Sequence, residues 1–165
     1  MNVNLTFDFN VDKENKTINV KREFAAKLDK VWAAWTQSDL LDQWWAPKPW
    51  KSKTKSMDFS EGGRWLYAMV GPNGETHWSI ADFESIEKEK SYSAFTAFTD
   101  EDGNVNDKMP STNWTNSFTA QGDTTIVNVD IYYDSVEDLE TELEMGFKEG
   151  FTEGLGNLDE LLASQ

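Results

Sequence analysis

The C-terminal part of the chain, residues 136–163, contains no proline, and its apolar residues recur at the spacing of one helix face. These positions are Leu139, Leu143, Phe147, Phe151, Leu155, Leu158, Leu161 and Leu162. The pattern predicts a single helix of about 28 residues, roughly 40 Å long. A helix of this kind is stable only when its apolar face packs against another element. The strands predicted for the rest of the chain supply that surface.

Three glycines follow the same face of this predicted helix at four-residue intervals: Gly146, Gly150 and Gly154. Each glycine inside a helix costs about 1 kcal/mol relative to alanine. Such positions indicate either the close approach of another element or free space beside the helix. The sequence leaves both alternatives open.

Residues 53–133 alternate short apolar runs with turn sequences, which predicts consecutive β-strands. Trp65, Tyr67 and Met69 alternate with their neighbours up to Gly71-Pro72-Asn73-Gly74, a sequence typical of a hairpin turn. Strands that follow one another through short turns form a mostly antiparallel sheet. The fold class is therefore α+β, and one domain accounts for residues 1–165.

The N-terminal part predicts a hairpin followed by two short helices. Residues 3–11 alternate strictly between apolar and polar, as in a half-buried strand, and a polar turn leads to a second strand at 18–24. Helical spacing follows over residues 28–35 and again over 38–45. Pro47 and Pro49 end the second helix.

The chain is strongly acidic, with 30 acidic and 15 basic residues and a formal net charge of −15. This charge repels nucleic acid and anionic membranes, so neither is expected as a partner. Lys48, Lys51, Lys53 and Lys55 form one short basic stretch. Two interpretations apply to it: a site for a phosphate or a partner, or a solvated loop and strand edge.

The sequence contains no cysteine and a single histidine, which excludes disulfides, thiolate chemistry and zinc–thiolate sites. The acidic loop Asp100–Asn104 lacks the ligand spacing of a calcium loop and is expected to be a hairpin turn. We therefore expect no metal and no cofactor. Neither a signal peptide nor a membrane span is predicted, so a cytoplasmic location is expected.

Several motifs together resemble one known family. They are Val31-Trp32-Ala33-Ala34-Trp35-Thr36, Trp44-Trp45-Ala46-Pro47, Asp58-Phe59-Ser60-Glu61-Gly62-Gly63-Arg64-Trp65 and Gly146-Phe147-Lys148-Glu149-Gly150-Phe151. The chain resembles single-domain members of the family related to the activator of the ninety-kilodalton heat-shock protein ATPase. That family belongs to the START-like, birch-pollen-allergen-like (SRPBCC) superfamily of helix-grip proteins. The likeness begins near Thr17, so residues 1–15 look like an added strand and turn.

The resemblance implies a curved antiparallel sheet wrapped around a long C-terminal helix, with two short helices after the first core strand. Members of the superfamily bind lipids, hormones or other apolar molecules, and some catalyse cyclisations. It therefore implies a cavity between sheet and helix, although fold alone does not decide function.

Strand alternation and the helix face together predict that the cavity is lined by Trp65, Tyr67, Met69, Trp114, Phe118, Phe147 and Phe151. Over residues 77–83 alternation leaves two faces open, one with His77, Ser79, Ala81 and Phe83 and the other with Trp78, Ile80 and Asp82. The resemblance favours the first set, which adds His77 and Phe83 to the candidates. Aromatic walls around a space suit a small apolar ligand. The alternative is that the same side chains fill the space as an ordinary core.

Three functional hypotheses follow. The first is binding of a small apolar molecule without catalysis and without a catalytic residue. The second is a cyclase- or hydrolase-like enzyme with His77 or Tyr67 as proton carrier, which requires a buried and hydrogen-bonded His77. The third, least favoured, is an interaction module that stimulates a chaperone ATPase. The protein is expected to be a monomer or a homodimer.

Overall fold

In the computed structural model, which describes residues 5–165, eight strands form one antiparallel sheet. The strands are β1 (Phe7–Asp12), β2 (Thr17–Phe24), β3 (Lys51–Met57), β4 (Arg64–Val70), β5 (Thr76–Glu87), β6 (Ser91–Thr99), β7 (Ser111–Gln121) and β8 (Thr124–Tyr133). Their order across the sheet is β1-β2-β8-β7-β6-β5-β4-β3. The helices are α1 (Leu28–Thr36), α2 (Ser38–Trp44), α3 (Val136–Glu144) and α4 (Phe147–Ala163).

The connections show how the helices come to lie over one face of this sheet. Strands β3 to β8 follow one another as neighbours, each antiparallel to the next. Strand β2 pairs with β8 near one end of the sheet, and β3 forms the edge at the other end. Helices α1 and α2 must therefore cross the sheet between β2 and β3. The main core lies between these helices, α4 and the inner face of the sheet.

The structure confirms the α+β helix-grip architecture, with its curved antiparallel sheet, two short helices and long C-terminal helix. The first strand is shorter at its start than predicted. It runs from Phe7 to Asp12, Leu5 precedes it, and Val3 lies outside the described residues. No helix within residues 5–165 is long and apolar enough to cross a membrane.

The prediction of one uninterrupted C-terminal helix is wrong. Helix α3 ends at Glu144 and α4 begins at Phe147, with Gly146 between them in the left-handed conformation at φ 91°. The Gly146 amide donates to the Leu143 carbonyl at 3.1 Å, which closes the last turn of α3. A left-handed residue just after a helix is usually glycine, because other residues are strained there. Gly146 therefore separates two helices.

Gly154 marks a close contact between α4 and the end of α2. A Cβ atom at this position would lie 3.2 Å from the Trp45 carbonyl oxygen and 3.3 Å from that of Trp44. Three residues further along α4, the Asn157 side-chain amide donates to the Ala46 carbonyl at 3.0 Å. The glycine allows α4 to approach this backbone, and the asparagine pairs with the carbonyls that the helix end leaves free.

The basic stretch lies mainly on an edge of the sheet. Lys51, Lys53 and Lys55 are exposed and alternate along the edge strand β3. Charged side chains on an edge strand disfavour pairing with another sheet. Lys48 pairs with Glu160 at 3.0 Å on the surface.

Gly154→Ala is expected to lower the free energy of unfolding by about 1–2 kcal/mol, because the added methyl group presses on two backbone carbonyls. Gly156 provides the matched control, since a Cβ atom there meets nothing within 4 Å. Gly156→Ala should raise stability by up to about 1 kcal/mol through helix propensity. Urea denaturation of both variants measures the difference, and equal stabilisation by the two substitutions would contradict the close-contact role.

Candidate functional site

A cavity of about 260 Å³, here called the outer chamber, lies between the inner face of the sheet and the C-terminal helices. Its sheet wall includes Tyr67, Met69, His77, Ser79, Thr96, Phe98, Thr112 and Trp114. Its helix wall includes Trp45, Pro47, Glu142, Met145, Gly146, Phe147, Gly150 and Phe151. His77 and Met145 are exposed, so the chamber reaches the surface beside them.

A smaller cavity of about 70 Å³, the inner chamber, lies deeper in the core. Both chambers are lined by Trp45, Tyr67, Thr96 and Trp114, which form the boundary between them. The inner chamber is completed by Trp35, Leu41, Trp65, Ala81, Phe83, Tyr92, Ala94 and Asn116.

Edge-to-face contacts between aromatic rings hold the walls of the outer chamber. The Trp114 ring centroid lies 5.5 Å from that of Phe151, with the planes at 85°. Trp45 packs against Phe151 at 6.0 Å, and Phe147 stacks on Phe151 at 5.4 Å. Such pairs stabilise beyond their area burial, by about 0.5–1.5 kcal/mol each. The rings are therefore fixed by one another around the space.

Polar groups in the boundary between the chambers are paired within the protein. The Trp45 indole N–H donates to the Tyr67 hydroxyl at 3.1 Å. The Trp114 indole N–H donates to Thr112 Oγ1 at 3.0 Å, and that oxygen also bonds Thr96 Oγ1. Burial raises the pKa of Tyr67 above its ordinary value, against the opposing effect of the Trp45 bond, so this tyrosine stays protonated at neutral pH.

Two polar atoms of the inner chamber have no partner among the described residues: Trp35 Nε1 and Asn116 Oδ1. Both side chains are buried, with 2% and 3% of their surface exposed. An unpaired buried donor or acceptor costs about 1–3 kcal/mol. The inner chamber is thus lined by two side chains that each carry an unpaired polar atom, a donor on Trp35 and an acceptor on Asn116.

Glu142, in the last turn of α3, places a carboxylate in the helix wall of the outer chamber. The Tyr133 hydroxyl of β8 donates to Glu142 Oε1 at 3.0 Å. Burial raises the pKa of Glu142 to about 7, and the nearby Asp138 carboxylate adds to the shift, whereas the Tyr133 bond opposes it. Burial and the Glu142 charge raise the pKa of Tyr133, which keeps its hydroxyl protonated as the donor.

The structure brings most of the predicted lining residues to the two chambers. Tyr67, Met69, His77, Trp114, Phe147 and Phe151 line the outer chamber, whereas Trp65 and Phe83 line only the inner one. The placement of Phe118 needs correction, because it lines neither chamber. It packs in the core with its ring centroid 5.0 Å from Trp32, and Trp35 and Tyr92 surround it at about 6 Å.

His77 faces the cavity from β5, at its exposed rim. Its ring stacks on Trp50, with the centroids 5.5 Å apart and the planes at 27°. The enzyme hypothesis required a buried His77, so the observed position does not support a proton-carrier role for this residue.

Sequence reasoning did not identify Glu142 or Trp45 as part of the site. One signal for Glu142 was present, because it lies three residues after Leu139 and so shares the buried face of α3. Its contact with Tyr133 depends on the packing of α3 on β8, which no local pattern shows. Trp45 stood out in the sequence only as part of the motif Trp44-Trp45-Ala46-Pro47 that the chain shares with the family.

A curved antiparallel sheet closed by a long helix over an aromatic cavity defines the helix-grip class of proteins. The chain belongs to the family described as "Activator of Hsp90 ATPase homolog 1-like protein", whose sequence pattern it matches over residues 25–163. Comparison with curated proteins gives no match.

Solved structures of similar proteins support the same fold over almost the full chain. A protein from Arthrobacter aurescens is 27% identical, with 96% of this chain and 92% of that chain covered and a TM-score of 0.90. Protein Ms6760 from Mycobacterium smegmatis is 29% identical, with 96% of both chains covered and a TM-score of 0.87. A Staphylococcus epidermidis protein, 23% identical over 93% of both chains, shares the fold with a TM-score of 0.82.

The raised pKa of Glu142 predicts a specific pH dependence of stability. The folded protein holds this proton more tightly than the unfolded chain, whose pKa is near 4.5. The stabilisation is therefore complete below about pH 4.5 and is lost as the pH rises through about 7. Glu142→Gln keeps an oxygen acceptor for Tyr133 but removes the charge. As the pH rises from 5 to 8, its free energy of unfolding should therefore increase by about 1–3 kcal/mol relative to that of the wild type.

Urea denaturation of the wild type and of Glu142→Gln at each half pH unit measures this gain. Glu144→Gln is the matched control, because Glu144 is exposed at the end of the same helix. A stability difference between Glu142→Gln and wild type that is the same at pH 5 and pH 8 would contradict the assigned shift.

Proposed function

We propose that this protein binds a small, largely apolar molecule in the outer chamber, without a catalytic step. The observation that supports the proposal is the chamber itself: about 260 Å³, with aromatic side chains on both its sheet wall and its helix wall. Ligand sites are concave and mainly apolar, with a few placed polar groups, and usually measure about 300–1,000 Å³. The chamber lies just below this range, which favours a ligand smaller than a typical drug molecule.

The inner chamber supports the proposal in a second way. A ligand that extended past Trp45 and Trp114 would enter the space lined by Trp35 and Asn116, whose Nε1 and Oδ1 atoms are unpaired. A hydroxyl group can both accept from an N–H and donate to a carbonyl. The space thus suits a ligand whose apolar body carries a small polar end.

Gly150 supports the proposal because it leaves α4 without a side chain at a point where the helix forms the chamber wall. A Cβ atom there would meet only Pro47 Cγ, at 3.7 Å, an ordinary contact. No neighbouring element therefore requires a glycine at this position, unlike at Gly154. The free space at Gly150 belongs to the chamber.

Gly150→Leu is expected to reduce the affinity for a neutral ligand such as 4-phenylbutan-1-ol by at least about tenfold, because the new side chain occupies the chamber beside Pro47. Chemical shifts of the tryptophan indole N–H groups in a ¹⁵N-labelled sample measure binding. The indoles of Trp45 and Trp114 should respond, whereas Trp78, on the other face of the sheet, should not.

Gly156→Leu is the matched control, since it adds the same side chain to the same helix at a position where a Cβ atom meets nothing. It should leave the affinity unchanged. If a panel of small neutral apolar molecules left the Trp45 and Trp114 indoles unshifted at millimolar concentration, the proposed function would be wrong.

A further inference from the structure

We propose that the preferred ligand carries an ammonium group beside its apolar body, and that Glu142 in the chamber wall is the group that selects it. This inference rests on the proposed function, because it assigns the chemical class of the molecule that the outer chamber holds. It depends on three features: the position of the carboxylate, the aromatic rings that line the same chamber, and the absence of lysine and arginine from the described chamber wall.

The Glu142 carboxylate is held in place through one of its two oxygens, and the other is unpaired among the described residues. Tyr133 donates to Oε1 of Glu142, which fixes the side chain against β8. No hydrogen bond within residues 5–165 uses Oε2, and the side chain lines the outer chamber. A carboxylate in an apolar site binds a cation more strongly than it does in water, because fewer solvent dipoles compete.

The rings that line the same chamber add to this preference. Tyr67, Trp45 and Trp114 present aromatic surface to the space, with Phe147 and Phe151 on the helix side. The face of an aromatic ring attracts an ammonium ion, most strongly where water is excluded, and tryptophan is the best such partner. One carboxylate among several aromatic rings is a common arrangement for recognising amines.

An anionic ligand finds no lysine or arginine in the walls of the described chambers. The two lysines adjacent in sequence to lining residues point elsewhere: Lys48 pairs with Glu160, and Lys148 lies over the Phe9 ring at 5.4 Å. The formal net charge of −15 also repels anions and attracts cations to the surface. A fatty acid or a phosphate is therefore disfavoured.

The ionisable groups near Glu142 determine how pH changes this selection. They are Tyr133 of β8, Tyr67 of β4, Asp138 of α3, and His77 of β5 at the chamber rim. Both tyrosines have raised pKa values and remain neutral. Since Glu142 titrates at about pH 7, an amine should bind more tightly at pH 8 than at pH 6. His77 also lines the chamber, at its rim, so His77→Gln tests whether the pH dependence belongs to Glu142.

The test uses three ligands with one body: 4-phenylbutan-1-amine, 4-phenylbutan-1-ol and 4-phenylbutanoate. Affinities of the full chain at pH 6 and pH 8 come from indole N–H chemical shifts and calorimetry. At pH 8 the amine should bind about tenfold tighter than the alcohol, and the acid should bind more weakly than the alcohol. In Glu142→Gln the amine should bind no tighter than the alcohol.

Glu144→Gln is the matched control, because it removes the same charge from an exposed position on α3 and should leave the tenfold preference intact. The pH dependence for the amine should persist in His77→Gln and disappear in Glu142→Gln. An alcohol that binds as tightly as the amine, or a preference for the amine that survives Glu142→Gln, overturns this inference but leaves the proposed function standing. Failure of all three ligands to bind overturns both.

Discussion

The contact between α4 and the end of α2 determines the shape of the whole inner face. At Gly154 the helix backbone approaches the Trp44 and Trp45 carbonyls, and Asn157 donates to Ala46 and Trp44 at the same place. This half of α4 is thus fixed close to α2, whereas the half that begins at Phe147 borders the outer chamber. The outer chamber therefore lies beside the first turns of α4, away from this close contact.

The ring contacts explain why the aromatic side chains leave a space. Edge-to-face packing, as between Trp114 and Phe151, holds each ring at an angle to its neighbour. Trp45 touches Trp44, Trp65, Trp114 and Phe151, so it connects the α2 contact to both chambers. Collapse of the cavity would require several such pairs to break together, each worth about 0.5–1.5 kcal/mol.

The sequence was sufficient for features that depend on local pattern. Strand alternation predicts one face for Tyr67 and Met69, and both line the outer chamber, because successive side chains of a strand point to opposite faces. It could not show the helix break, since four-residue spacing suits a glycine inside a helix as well as Gly146 after one. Nor could it show that Glu142 accepts a hydrogen bond from Tyr133, because that tyrosine lies on another element, β8.

The left-handed Gly146 places the determinants of the site on two separate helices. Glu142 lies on α3, before the break, and Gly150 and Phe151 lie on α4, after it. The charged group of the chamber and the residues that set its space therefore lie in different segments. On the proposed function, substitutions in α3 would change which chemical group is accepted, while the contact at Gly154 stays intact. Substitutions in the first turns of α4 would instead change the size of ligand that fits.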